Sequence, residues 1–229
     1  MAQTLAGPPD ATRSWEQAVL QFVEGNMQQT KALEPGKFYH LYTRGNNGET
    51  VFFTQENYFY FLQLYRRYVA PFVHTFCYCL LPNHVHFLVQ VKEEQYLHKP
   101  SELNQELLPV TVQRQLSHLL NAFTKAMNAR YGRGDSLFQK RFRRKEVTSE
   151  AYFTRLVFYI HFNPQHHGLI PDFKEWPYSS YPSLLSKSKT NLERNEVLSW
   201  FGGAHHFKTF HQDLADFSSI HPLIEEDEV

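Results

Sequence analysis

"FVHTFCYCLLPNHVHFLVQV", residues 72–91, decides the reading of the fold. Most of it is apolar, β-branched or aromatic, and Pro82-Asn83 interrupts it midway. That composition, broken by a turn dipeptide, predicts two strand-like runs hinged at 82–83. The second run places His84 and His86 one residue apart. Side chains alternate between the faces of a strand, so these imidazoles share one side while Val85, Phe87, Val89 and Val91 share the other. They sit about 7 Å apart along the strand, twice the rise per residue, and can converge on one divalent ion. Two polar residues on the wet face of a half-buried strand would give the same pattern. Cys77 and Cys79 could complete a tetrahedral zinc site with them. Cys-x-Cys lacks the usual knuckle spacing, however, and small buried thiols are common in apolar strands.

Working outward, "KFYHLYTRG" (37–45) reads as a strand, "RGNNGE" (44–49) as a turn and "TVFF" (50–53) as a short extended piece. A helix follows from an N-cap at Thr54, with Tyr58, Leu62 and Tyr65 at helical spacing and Pro71 just past its end. After the hinged pair, 93–109 is polar with two prolines and reads as loop. Val112, Leu116, Leu119, Leu120, Phe123 and Met127 form a 3.6-period stripe that predicts a helix stopping at Gly132. Residues 132–147 read as loop, then basic strand. Another helix is entered at Thr148 or Ser149 and ends near Pro164. This order predicts an α+β fold, a mostly antiparallel central sheet flanked by helices. Residues 1–36 read as an N-terminal appendage with a helix from Ser14 to about Gln28, 37–182 as the main domain, and 183–229 as a C-terminal extension. Its last stretch, 209–229, has six acidic residues and no Lys or Arg, making an acidic tail.

Composition narrows the class. With 42% hydrophobic and 16% aromatic residues, the chain is globular rather than disordered. Two closely spaced cysteines build no disulfide framework, which suits a reducing compartment. No run approaches the roughly 20 apolar residues of a membrane span, and the N-terminus lacks the pattern of a secretory signal. A cytoplasmic protein without a membrane partner is the expectation.

Two further constellations carry chemistry. In "FYIHFNP" (158–164), Tyr159 and Asn163 stand four apart, which on a helix puts them on one face. His161 falls on another face and reads as structural. From Thr111 to Glu146, nine Lys or Arg face two acids, a local excess of seven in a chain of formal net charge zero. Phe138 and Phe142 interleave these cations in "SLFQKRFRRK" (136–145). Cations for phosphates and rings for bases suit a nucleic-acid groove.

"NHVHFLV", then "GDSLFQKRFRRK", then a helix ending in "YIHFNP" resemble, in this order, the single-tyrosine HUH transposases, and within them the REP-associated tyrosine transposases. The resemblance runs from about Phe38 ("FYHLYTRGNN") to "WPYSSY" near Tyr181. It implies a ferredoxin-like HUH endonuclease fold, Tyr159 as nucleophile, and His84 and His86 as ligands to Mg²⁺ or Mn²⁺. Asn163 stands where the insertion-sequence branch has a Gln as third ligand, followed by the "NP" typical of the REP-associated branch. The implied reaction is cleavage and rejoining of single-stranded hairpin DNA through a 5′-phosphotyrosine, by a monomer or homodimer. Arg44, Arg133, Lys140, Arg141, Arg143, Arg144 and Lys145, with Phe138 and Phe142, are the expected DNA contacts. The alternatives are a metal-dependent nuclease that uses water, a non-catalytic DNA-binding module, and a structural zinc protein.

Overall fold

Alternation along the hinged pair becomes two packed faces of one sheet. The structure is a computed structural model that describes residues 32–93, 108–139 and 142–215, the side chains of 108–110 excepted. The helix expected at 14–28, Lys140, Arg141 and the end of the acidic tail lie outside the described residues. Strands β1 (Phe38–Arg44), β2 (Val73–Leu81), β3 (His84–Val91) and β4 (Arg143–Val147) form an antiparallel sheet in the order β2-β3-β1-β4. Between them run α1 (Gln55–Tyr68) and α2 (Leu108–Tyr131), each a crossover that skips one strand position. After β4 come α3 (Glu150–His166), α4 (Tyr181–Leu185), α5 (Arg194–Trp200) and α6 (Ala204–Ala215). This is the expected α+β architecture, with the helix–sheet order of a ferredoxin-like fold.

One sheet face packs on α1 and α2. Val85, Phe87, Val89 and Val91 of β3 share a buried cluster with Phe61 and Leu64 of α1 and with Leu116, Leu119 and Phe123 of α2. The opposite face packs on α3, where Phe76, Cys77, Cys79 and Leu88 meet Phe153, Leu156, Val157 and Ile160, with Val197 and Phe207 beyond. Both faces are covered, so β3 is buried almost throughout rather than wet on one side.

Three expectations shift. Residues 50–53 form no strand, because the N–H groups of Val51 and Phe52 both donate to the Pro82 carbonyl (2.7 and 3.0 Å), leaving no ladder to build. The second helix begins at Leu108 with Pro109 in its first turn, where a missing N–H costs nothing. Pro164 does not end α3, which runs on to His166. A proline in the last turn forfeits one hydrogen bond, and His167 N–H to Asn163 O (3.0 Å) and Leu169 N–H to Pro164 O (2.9 Å) close the end around Gly168 at φ +66°.

Candidate active site

The even positions of β3 and β1 supply the polar half of the α3-facing surface. Arg44 pairs across with His84 and Tyr42 with His86, which sets the side chains of each pair on one face. Helix α3 crosses this surface with Tyr159 and Asn163 one turn apart, and its C-cap residue His167 follows four positions on. Ser149 caps the helix, its Oγ accepting from Tyr152 N–H at 3.2 Å, and so fixes where the stripe begins.

The sequence-predicted residues converge. The ring of Tyr159 meets that of His86 edge-on, centroids 5.7 Å apart, and His84 lies edge-on to His86 at 5.0 Å. Asn163 Oδ1 is 3.3 Å from His84 Nε2. His84, His86, Tyr159 and Asn163 are all buried. Burial pushes His84 down to about 3, with His167 and Arg44 adding repulsion and the Asn163 contact opposing the fall. Burial also holds His86 well below the usual histidine range, aided by its three histidine neighbours. Both rings are therefore neutral near pH 7, and each offers one nitrogen lone pair.

Two oriented amides flank the His84 ring. Asn83 Nδ2 donates to Gly48 O (3.3 Å), so Asn83 Oδ1 faces His84 Nδ1 at 2.7 Å. On the far side, Asn163 Nδ2 donates to Tyr159 O (3.1 Å), which turns Asn163 Oδ1 toward His84 Nε2. A neutral imidazole has one N–H, so His84 can donate to only one of these two amide oxygens. Whichever nitrogen is left without the proton turns its lone pair toward an amide oxygen, a pairing that a cation relieves. The donor set thus fits a divalent ion on His84, His86 and Asn163.

The cations divide by strand parity. Arg143 pairs directly with Tyr42 and Lys145 with His40, so both belong to the site face, and Lys145 Nζ lies 5.5 Å over the Tyr152 ring of α3. Arg44 lies against His84. Arg144 falls on the other face, where its guanidinium donates to Gln113 of α2 at 3.3 Å. Arg133 is ion-paired with Glu49 at 2.6 Å. Phe138 is not presented for stacking. Its ring lies in the apolar core beside Phe61 and Phe123, because Gly45 and Phe138 bridge as an extension of the sheet. Phe142 is half-buried against the same cluster.

Sequence reasoning passed over His40, Tyr42 and His167. His40 Nε2 is 3.0 Å from His86 Nδ1, the Tyr42 ring stacks on His40 at 4.8 Å, and His167 lies edge-on to His84 at 5.0 Å. The signal was the parity of "HLYTR" (40–44) and the continued spacing of four beyond Asn163. His161 turns away, bonded to His211 of α6 and to Ser180 Oγ, each at 2.9 Å. Cys77 and Cys79 are buried, and burial raises both thiols. Among the described residues no group of three or more His, Cys, Asp or Glu is arranged to hold a metal ion.

A ferredoxin-like sheet that sets a His-x-His pair against a helical tyrosine and carboxamide is the arrangement implied by the resemblance to single-tyrosine HUH transposases. No family model matches the chain. Over 109 residues, 47% of this chain, it is 31% identical to a Haemophilus influenzae protein named "Putative REP-associated tyrosine transposase", which bears out the resemblance. The match spans 58% of that relative's length. Among solved structures, the REP-associated tyrosine transposase bound to a REP hairpin is similar with a TM-score of 0.48 at 17% identity, covering 69% of this chain and 84% of that one. A bacterial tRNA(His) guanylyltransferase (Thg1)-like protein in complex with GTP has a TM-score of 0.39 at 10% identity, covering 68% and 73%. No helix among the described residues is long and apolar enough to cross a membrane.

Proposed function

We propose that this protein is a tyrosine transposase that cleaves and rejoins single-stranded hairpin DNA. The observation that carries the reading is the convergence of Tyr159 with His84, His86 and Asn163, where Asn163 Oδ1 lies 3.3 Å from His84 Nε2 and the Tyr159 ring meets that of His86 edge-on. His84, His86 and Asn163 would hold Mg²⁺ or Mn²⁺, which when bound would supply Lewis-acid polarisation of the reacting phosphate.

The rest follows from the chain's own residues. The Tyr159 phenol, ordinarily with a pKa near 10, is a weak nucleophile that depends on being held in place. Its helix does this, with the Tyr159 carbonyl anchored by Asn163 and its ring wedged against His86. Tyr159 Oη forms a bond to phosphorus, the bond from phosphorus to the 3′-oxygen breaks, the phenolic proton leaves to solvent, and the departing oxygen is protonated to a 3′-hydroxyl. Attack by a second 3′-hydroxyl reverses the exchange and restores the phenol. One phosphodiester is exchanged for another, so no nucleotide triphosphate is consumed. This agrees with the absence of a Walker-type glycine-rich loop from the sequence. Arg44, Arg143 and Lys145 on the site face neutralise the DNA backbone.

A hairpin oligonucleotide labelled at its 3′ end, incubated with Mg²⁺ or Mn²⁺, tests the reading. The expected product is a covalent adduct that survives denaturing electrophoresis and maps to Tyr159 by mass spectrometry. Tyr159→Phe abolishes adduct and cleavage while retaining DNA binding. Cleavage without an adduct establishes the water-using nuclease instead, binding without cleavage the non-catalytic module, and nicking by the Phe variant overturns the nucleophile.

A further inference from the structure

We infer that His40 is a positioning residue for His86: by accepting its Nδ1 proton, it turns the remaining ring nitrogen into a lone pair available to a cation. The inference rests on the metal reading above and concerns a residue outside the proposed ligand set. His40 sits on β1 two positions from Tyr42, the direct cross-strand partner of His86, and so reaches His86 diagonally on the same face. The two rings stack with centroids 5.2 Å apart and planes within 18°, and Nε2 of His40 meets Nδ1 of His86 at 3.0 Å. Both side chains are buried.

A hydrogen bond between two neutral imidazoles has two proton settings. If His40 donates, the His86 proton sits on Nε2, leaving an N–H that repels a cation. If His86 donates, Nε2 carries the lone pair. His84 differs, because each of its ring nitrogens meets an amide oxygen, Asn83 Oδ1 at 2.7 Å and Asn163 Oδ1 at 3.3 Å, and neither oxygen can donate. His86 is paired instead with a group able to play either part, so metal binding and the proton position on His40 are coupled. The Tyr42 ring, stacked on His40 at 4.8 Å and within 26° of parallel, holds that imidazole in the plane the bond requires.

Calorimetric titration of Mn²⁺ into wild type, His40→Gln and His40→Phe provides the test. The Gln side chain keeps an acceptor near the Nε2 position and Phe keeps only the ring. Positioning predicts that His40→Phe loses about 10–100-fold in Mn²⁺ affinity, whereas His40→Gln stays within a few-fold of wild type. Mere packing predicts the reverse order, Phe above Gln. Equal affinity in wild type and His40→Phe overturns the inference alone, and wild type that takes up no Mn²⁺ overturns the metal reading with it. Should His40→Phe fail to fold, ¹⁵N spectra of the wild-type imidazoles with Mg²⁺ bound decide the matter. His86 protonated on Nδ1 supports the inference and protonated on Nε2 overturns it.

Discussion

Val85, Phe87 and Val89 share strand β3 with His84 and His86, and the two sets are buried alike while doing opposite things. On the α1/α2 side, Phe87 stacks on Tyr65 with centroids 4.3 Å apart and planes within 7°, and its neighbours are aromatic or aliphatic. Area removed from water and close packing stabilise that face. On the α3 side, His86 lies among His40, Tyr42, His84 and Tyr159. Burial there raises the cost of each polar group and is offset only by hydrogen bonds with directions. Burial alone therefore does not separate core from site; the chemistry of the neighbours does.

The largest effect sets these faces against each other. Phe87→Ala opens a cavity in the apolar cluster and is expected to cost about 3–5 kcal/mol of unfolding free energy. His86→Ala removes a buried polar group and leaves His40 without that contact, a cost of about 1–3 kcal/mol, while abolishing Mn²⁺ uptake. Urea denaturation without metal measures both. Equal costs for the two variants would mean that the α3 face is ordinary core.

A second test uses the polar contacts at the back of α3. His211 of α6 donates from Nδ1 to Phe207 O (2.8 Å) and meets His161 at 2.9 Å, with Tyr181 as its other titratable neighbour. Burial holds His211 down at about 3, the Phe207 carbonyl opposing that fall, against an ordinary 6.5. A histidine depressed on folding contributes stability that is complete above the unfolded value of 6.5 and is lost as pH falls from there toward 3. Each such group costs about 1.4 kcal/mol per pH unit within that window. His40, His84, His86 and His161 are depressed in the same direction, so stability is expected to fall steeply below pH 6.5. His211→Gln reduces the proton uptake on unfolding by about one between pH 6 and 4, read from the pH dependence of the urea midpoint. An unchanged slope would show that His211 charges freely in the folded state.

Much of the fold was legible because hydrophobic period and turn chemistry agree along the chain. The Pro82-Asn83 hinge, the 3.6-period stripe from Val112 to Met127 and the β1 strand all stand where the pattern puts them. The site was legible where spacing encodes a shared face, as with His84 and His86 or Tyr159 and Asn163. Pairings between strands distant in sequence were not, since register is set by packing across the sheet rather than by local composition. His40 went unread for this reason, as its partner lies 46 residues away. Phe138 was misread for the converse reason: a ring between cations resembles a stacking surface until the bridge to Gly45 turns it into the core.

The smallest expected effect separates two adjacent arginines. Arg143 and Arg144 are indistinguishable in "FRRK", yet β4 sends the first to the site face beside Tyr42 and the second toward Gln113 of α2. If the site face carries the DNA, Arg143→Ala removes one phosphate contact. The slope of log affinity against log salt for a hairpin oligonucleotide then falls by about 0.7–0.9. Arg144→Ala leaves that slope unchanged and loses a partly buried polar contact to α2, for which about 1 kcal/mol of stability is expected. Fluorescence anisotropy over a salt series resolves the two. A lowered slope in Arg144→Ala, or an unchanged one in Arg143→Ala, would place the DNA on the α1/α2 side and part it from the histidines.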